Sequence, residues 1–500
     1  MRKKSIKVDP LGSSWKIGDI RNGYPVLKKE DRETILLLSD DLRMFSGVAT
    51  MSKELVLGTI HHFNWIQIAG SIKHPEFGKI IDMSKSIQKE TGIEDAQLKL
   101  YPMNGYGNPD ILRQILSMEK DINAIMHFTD PRQWLWLVSM ENELRQNIPL
   151  VYYALWDDLP YPMYNQGHYR SCDLIMGISK QSNNLHKNVL GPYSNKTKTT
   201  YVPHGINSEV FKPVLDIDPK FEEFRKKLLG DKKYDKIFLY NNRNIRRKMP
   251  GDLINSYKQF CDTLTKEEAD RCLLIFHTRP VDNSGTDIPA VHQALCPEYN
   301  IMYSTQKVSA QELNYLYNVV DVTLGISSAE GFGLATAESL MAGTPILVNV
   351  TGGLQDQCGF VDSEGKLIEY SSDFPSNSCG RYADAAEWAF QVFPQMNLVG
   401  SPPTPYIYDS RANVEDIVIQ MKNIWELTRD NLKNKGLKGR EFMINNLSSE
   451  IMCNGIIRDI SECIKNFKPQ KRFDIYKAKQ KVIDPNICKG IWNESESKWV

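Results

Sequence analysis

The sequence predicts an α/β protein built from two doubly wound, mainly parallel sheets that face each other across a cleft. Three observations carry that prediction. Short apolar runs of strand length alternate with helix-like stretches at the spacing of βαβ units. The alternation halts at a linker-like segment around Phe211-Lys-Pro213 and then begins again. The length, 500 residues, accommodates two large α/β domains or about three of ordinary size.

The elements follow in order. Residues 1–30 are polar and punctuated by Gly and Pro, and read as an N-terminal arm. The first half, 31–207, opens with Thr34-Ile-Leu-Leu-Leu-Ser-Asp40, a short apolar run closed by turn formers, as in a buried parallel strand. Strand-length runs recur at Ile122–His127, Pro149–Leu155, Leu174–Ile178 and Thr199–Pro203, with helical patterns at Ile111–Met118 and Gln133–Leu144 between them. The second half, 208–445, has strands at Lys236–Tyr240, Leu273–His277, Asn300–Ser304, Val320–Ile326 and Pro345–Asn349. Helices at Gly251–Phe260, Ala310–Tyr317 and Gly333–Met341 alternate with them. Residues 357–411 are rich in Pro, Ser and Gly and read as an insertion. Helices at Val414–Arg429 and Ser449–Lys465 close the chain, and 446–500 is expected to cross back to the first half as a helix and a tail. Two such halves place the carboxyl ends of two sheets opposite each other, where ligands bind in this architecture.

Composition narrows the function classes. Sixty-one Lys and Arg balance 61 Asp and Glu, and 41% of residues are hydrophobic. A disordered chain needs lower hydropathy and larger net charge. A dedicated nucleic-acid binder is disfavoured, because a balanced chain has no strong field for phosphate backbones. The longest apolar runs, such as Ile35–Leu38, cannot span a bilayer, although peripheral membrane contact stays open. Met1-Arg-Lys-Lys4 is basic but lacks a following apolar stretch, and the nine cysteines form no C-x-x-C pair. A reduced, cytoplasmic protein is the expectation.

The most informative stretch is Ile326-Ser-Ser-Ala-Glu-Gly-Phe-Gly-Leu-Ala-Thr-Ala-Glu-Ser-Leu-Met-Ala-Gly-Thr-Pro345. A strand ends at Ile326 and a helix begins near Phe332. Free backbone N–H groups at a helix start favour an anion, and Gly331 and Gly333 permit close approach. Glu330 and Glu338 bracket that start, about 12 Å of helix rise apart. The separation suits two acceptors that hold hydroxyls at the two ends of a sugar diphosphate nucleoside. The same residues equally suit a first-turn acid favouring the helix dipole and a solvated helix position. A second group, Asn241-Asn-Arg243-Asn-Ile-Arg-Arg-Lys248-Met-Pro-Gly251, follows a strand of the same half. Cations there suit a diphosphate. A solvated basic turn is the plain alternative.

Together these residues resemble a known family. The chain is similar to retaining glycosyltransferases of the two-Rossmann-domain (GT-B) type, family 4. Glu330-Gly-Phe-Gly-Leu-Ala-Thr-Ala-Glu338 matches the family's E-x7-E motif, with Ser327 as its preceding serine. Arg243 and Lys248 match the family's Arg and Lys at the same spacing. Tyr201–Pro213 resembles the interdomain segment, and Thr351-Gly-Gly-Leu-Gln the Gly-Gly turn after the next strand. The resemblance is strong over about 200–355 and weaker over 34–180.

The resemblance implies sugar transfer from a UDP- or GDP-sugar to a hydroxyl of a glycan, lipid or small molecule, with retained anomeric configuration, no metal and no resident cofactor. Glu330 would hold hydroxyls of the donor sugar and Glu338 the ribose. Arg243 and Lys248 would stabilise the departing diphosphate. Ser327, Gly331, Phe332, Gly333 and Leu334 would line the donor site, and Ser46-Gly47 resembles the family's Gly loop. His127, in His127-Phe-Thr-Asp-Pro131, falls where the family carries H-x-H; it reads equally as a reaction-pocket histidine or a core histidine at a strand end. Trp388, Phe390, Phe393 and Tyr406 either contribute to an acceptor surface or form the core of a packed lid.

Other classes remain. A nucleotide-sugar epimerase shares the fold, and a non-catalytic sugar-nucleotide-binding protein would bind donor without turnover. An NAD enzyme is disfavoured because Asp40-Asp-Leu-Arg-Met-Phe-Ser-Gly47 lacks G-x-G-x-x-G. Asp216-Ile-Asp218 matches the metal signature of another transferase fold, but it lies in the linker and is read as chance.

Overall fold

The computed structural model describes residues 24–215, 217–368 and 385–470, together with the short strands Trp492–Asn493 and Lys498–Trp499. The first domain is an eight-stranded sheet: β1 (Glu33–Asp40), β2 (Phe63–Ser71), β3 (Ile81–Asp82), β4 (Leu98–Asn104), β5 (Ile122–Phe128), β6 (Leu150–Ala154), β7 (Leu174–Gly177) and β8 (Lys198–Tyr201). Their order is β3-β4-β2-β1-β5-β6-β7-β8. Every pair is parallel except the edge pair β3–β4.

The second domain carries β9 (Lys236–Asn241), β10 (Cys272–His277), β11 (Ile301–Ser304), β12 (Val322–Gly325), β13 (Ile346–Asn349) and β14 (Ala389–Val392). All its pairings are parallel, in the order β11-β10-β9-β12-β13-β14. Both domains therefore reverse strand order beside their first strand, the switch point at which doubly wound sheets bind ligands.

Residues 357–411 differ in part from an insertion outside the alternation. Ala389–Val392 extends the second sheet, and Gln395–Ser401 with Thr404–Arg411 forms an antiparallel hairpin. Strands β2 and β4 were hidden by polar residues inside them. Gln67 in β2 is buried because its amide donates to Ser39 Oγ and the Asp40 carbonyl, each at 2.8 Å, and Lys99 in β4 reaches Glu119 at 2.9 Å. Such partners remove the penalty of burying a polar group, so the run of apolar residues can be broken without breaking the strand.

Two chain crossings join the domains, and they run side by side. Ile206 N–H donates to the Leu447 carbonyl at 3.0 Å, and Ser449 N–H donates to the Ile206 carbonyl at 3.1 Å. The helix Ser449–Asn466 then packs on the first domain against helix Gly47–Thr59. A methyl group on Gly455 would stand 2.9 Å from Val202, so the small residue sets that approach. The hairpin makes a further bridge: Tyr164 Oη donates to the Tyr406 carbonyl at 3.1 Å, and Arg132 donates to Thr404 Oγ1 at 3.1 Å.

Among the described residues no helix is long and apolar enough to cross a membrane. Seven cysteines fall within them, all as free thiols. Asp218 caps the helix Pro219–Leu229 by accepting from Lys220 N–H at 2.9 Å, which gives that acid a structural task; Asp216 lies outside the described residues.

Candidate active site

The strand–turn–helix unit of the second domain forms as its sequence suggests. β12 ends at Gly325, residues 326–333 turn, and the helix Leu334–Met341 follows. Gly333 precedes the helix at φ 90°, a conformation that favours glycine, and a methyl group there would meet Leu354 at 2.5 Å. Beneath the turn, Gly353 N–H donates to the Glu330 carbonyl at 2.8 Å. A methyl group on Gly352 would fall 2.0 Å from that same oxygen, so the Gly-Gly turn is the floor on which Glu330 rests.

The Glu330 carboxylate collects three neighbours. It bonds the Lys248 ammonium, accepts from Ser327 Oγ at 3.2 Å and lies 3.8 Å from the Arg247 guanidinium. Burial alone would push its carboxyl up, but Lys248 and Arg247 outweigh that and hold it below the ordinary range. Lys248 is itself 9% exposed; burial draws its ammonium down despite Glu330. Arg247 also donates to the Ala329 carbonyl, while Ser328 N–H donates to the Arg247 carbonyl at 2.8 Å. The basic turn and the glycine-bounded turn are thus sewn together by main chain as well as side chain.

Arg243 is placed differently. Its side chain is 69% exposed, and its nearest acid is Asp282 at 3.9 Å. The cation beside Glu330 in addition to Lys248 is Arg247, one position before it in the same basic cluster.

Glu338 lies on the helix, half-buried, and accepts from Tyr317 Oη at 2.7 Å; Asn241 in turn donates to Tyr317 Oη at 2.7 Å. Burial, with a contribution from Glu54, raises its carboxyl to about 7. Phe332 is buried with its ring 5.4 Å from His204, a histidine of the interdomain segment bonded to Tyr153 Oη at 2.9 Å.

The first domain meets this unit closely. Ser46 caps the helix Gly47–Thr59 by accepting from Ala49 N–H at 3.0 Å, and its hydroxyl donates to Asp40 at 2.5 Å. A methyl group on Gly47 would be 3.2 Å from Leu334, and one on Gly331 would be 3.1 Å from the Leu155 carbonyl. The two glycines mark where the domains face each other.

Asp157 and Asp158 follow β6 on the same wall, and no sequence motif marks them. Both are half-buried. Burial raises the Asp157 carboxyl to about 6, against the pull of Arg247; Glu330 pushes it up and Lys248 down. Asp158 is raised well above the ordinary range by burial and by Asp157. Asp157 thus senses Arg247, Glu330 and Lys248 of the opposite domain. Its one signal in the sequence was position, at the carboxyl end of a strand in the first sheet.

His127 sits in the aromatic core. It is 1% exposed, stacks on Tyr152 at 4.6 Å and lies 3.2 Å from His168 between Nε2 atoms. Burial holds both imidazoles well below their usual range, so they are neutral. His127, His168 and Cys172 are the group among the described residues whose donor atoms, within 4.8 Å of one another, are spaced to hold a metal. Burial pushes the Cys172 thiol up and so disfavours the thiolate a metal needs.

Trp388 packs against Phe442 at 5.1 Å and donates to the Gln357 carbonyl at 2.9 Å, while Phe390 and Phe393 pack on the core. Tyr406 contacts the first domain, its ring 5.1 Å from that of Tyr164.

This is the GT-B architecture: two Rossmann-like domains with their strand carboxyl ends across a cleft. Solved structures share it. A sucrose-phosphate synthase from Thermosynechococcus elongatus aligns with a TM-score of 0.59 and 14% identity, over 87% of this chain and 100% of that one. A glycosyltransferase from Rickettsia africae aligns at 0.58 and 16%, over 87% and 100%. Anabaena HepE, solved in complex with UDP and glucose, aligns at 0.57 and 12%, over 86% and 100%. At such identities the likeness establishes the fold. The chain matches no protein-family profile and no curated protein.

Proposed function

We propose that this protein is a retaining glycosyltransferase that moves a hexose from a UDP- or GDP-sugar to an acceptor hydroxyl without a metal. The observation that carries the reading is the Lys248–Glu330 pair beside the glycine-bounded start of helix Leu334–Met341. An ammonium has three N–H donors, so Lys248 can serve Glu330 and a phosphate oxygen together. Backbone N–H groups at the helix start add their dipoles to the same anion.

In this reading the bond from the anomeric carbon to the diphosphate oxygen breaks as the acceptor oxygen bonds to that carbon from the same face. The acceptor's proton passes to the departing phosphate oxygen. The chain contributes position and charge stabilisation: Lys248 and Arg247 for the diphosphate, with Arg243 from the exposed rim, Glu330 for donor-sugar hydroxyls and Glu338 for the ribose. HepE's complex with UDP and glucose supports a nucleotide-sugar donor by analogy of fold.

Product NMR tests it. The transferred sugar is expected to keep the donor's anomeric configuration, and an inverted product excludes the mechanism. A second reading, a nucleotide-sugar epimerase, is favoured by the half-buried acids Asp157 and Asp158, which could move protons. Incubation with donor alone separates the two, because an epimerase converts the donor whereas a transferase only hydrolyses it slowly.

A further inference from the structure

We propose that Asp356 is a positioning residue that seats the first domain on the donor turn, so that it governs the rate of turnover while donor affinity stays with the second domain. This rests on the glycosyltransferase reading and deepens it.

The carboxylate belongs to the second domain, on the short helix Leu354–Gln357 that follows the Gly-Gly turn. Both groups that donate to it belong to the first. Its Oδ2 accepts from Lys180 N–H at 2.9 Å and from Tyr201 Oη at 3.0 Å, and Oδ1 has no hydrogen-bond partner among the described residues. Lys180 opens the helix Lys180–Leu190, where a backbone N–H lacks a partner in its own helix and the dipole favours negative charge. Tyr201 ends β8. Asp356 itself is buried. Burying a carboxylate costs free energy that hydrogen-bonding partners offset, and these partners are present only while the domains meet. The acid therefore serves the contact between domains and not the folding of its own.

Its neighbours carry the contact to the site. Gln355 donates to Gln181 Oε1 at 2.9 Å, and the Gln181 amide donates to the Asp157 carbonyl, in the segment whose Leu155 carbonyl abuts Gly331. On the other side, the Gln357 amide donates to the Phe332 and Gly333 carbonyls at 2.6 and 3.0 Å, and Gly353 N–H to that of Glu330 at 2.8 Å. One short helix thus holds the turn that bears Glu330 and, through Asp356, the wall that faces it. Lys248, Arg247 and Glu338, which meet the diphosphate and ribose in the proposed reaction, lie in the second domain. Loosening Asp356 leaves them in place and displaces the opposite wall, and a small misplacement there is enough to slow the reaction.

The test uses the full chain at pH 8. Burial raises the Asp356 carboxyl to about 6, against the pull of Lys180 and Tyr201, so at pH 8 it is ionised. UDP- and GDP-sugars are screened for thermal stabilisation, and the donor that binds is followed by its slow hydrolysis to the nucleoside diphosphate. Affinity for UDP or GDP, whichever matches that donor, is measured by calorimetry. Asp356→Ala is expected to lower kcat about tenfold or more while that affinity stays within about twofold of wild type. Tyr201→Phe is expected to lower kcat about threefold, and the double variant to stay within about twofold of Asp356→Ala, since both changes break one contact. An unchanged kcat in Asp356→Ala, or an affinity that falls as far as kcat, overturns the proposal. Should Asp356→Ala fail to fold, Tyr201→Phe decides by the same two criteria. A wild-type chain that turns over no donor defeats the glycosyltransferase reading itself.

Discussion

Lys248 and Glu330 stand 82 positions apart in the chain and share one bond at the carboxyl ends of β9 and β12. Neither is free to be something else. The lysine is buried enough to need the acid, and the acid keeps its charge because of the lysine. Truncating Lys248 to Ala is expected to lower kcat by about 10²-fold or more, as for loss of one charge-stabilising donor. It also leaves Glu330 with Arg247 as its one neighbouring cation, and a stability loss of roughly 1–3 kcal/mol is expected by urea denaturation. Unchanged turnover would remove the lysine from the chemistry.

Arg243 offers the converse experiment. Its exposed side chain supports little of the fold, so Arg243→Ala is expected to leave the melting temperature unaltered. Donor kcat/KM is expected to fall about tenfold if the guanidinium closes on the diphosphate. Kinetics indistinguishable from wild type would leave Arg247 as the second cation of the site.

Glu338 predicts a pH dependence. Its carboxyl titrates at about 7, far above the ordinary carboxyl value, because it is buried. Between roughly pH 4.5 and 7 the folded chain therefore binds a proton that the unfolded chain does not, and its stability declines as pH rises through that window. Above 7 the ionised group accepts hydroxyl donors more strongly. Affinity for a UDP-sugar, whose diphosphate diester does not titrate there, is expected to weaken about tenfold from pH 8 to pH 6. Calorimetry checks this, and Glu338→Gln should flatten the profile.

Gly331 predicts an effect of domain approach. An added methyl group would press on the Leu155 carbonyl at 3.1 Å. Gly331→Ala is expected to lower kcat roughly tenfold to a hundredfold by misplacing the two walls, with a small change in melting temperature. Activity equal to wild type would mean that this approach is not needed for turnover.

Much of this was legible in the chain. Apolar runs such as Thr34–Asp40 announced strands because parallel strands are buried on both faces. The nearness of Glu330 and Lys248 was legible because each sits in a local pattern of glycines or cations after a strand. Strand β2 was not, since Asn64 and Gln67 interrupt it and their side-chain N–H groups find partners only far along the chain. Ala389–Val392 was hidden among the turn formers that precede and follow it. Asp157 and Arg247 escaped notice for a different reason. Their surroundings are made by two domains meeting, and no window of sequence contains both.

The paired crossings at Ile206 and Leu447–Ser449 have a mechanical outcome. Two adjacent segments of chain, bonded to each other, restrain sliding and twisting of one half on the other more than a single tether would. With the register of the halves fixed at the crossings, Gly331 is held facing the Leu155 carbonyl.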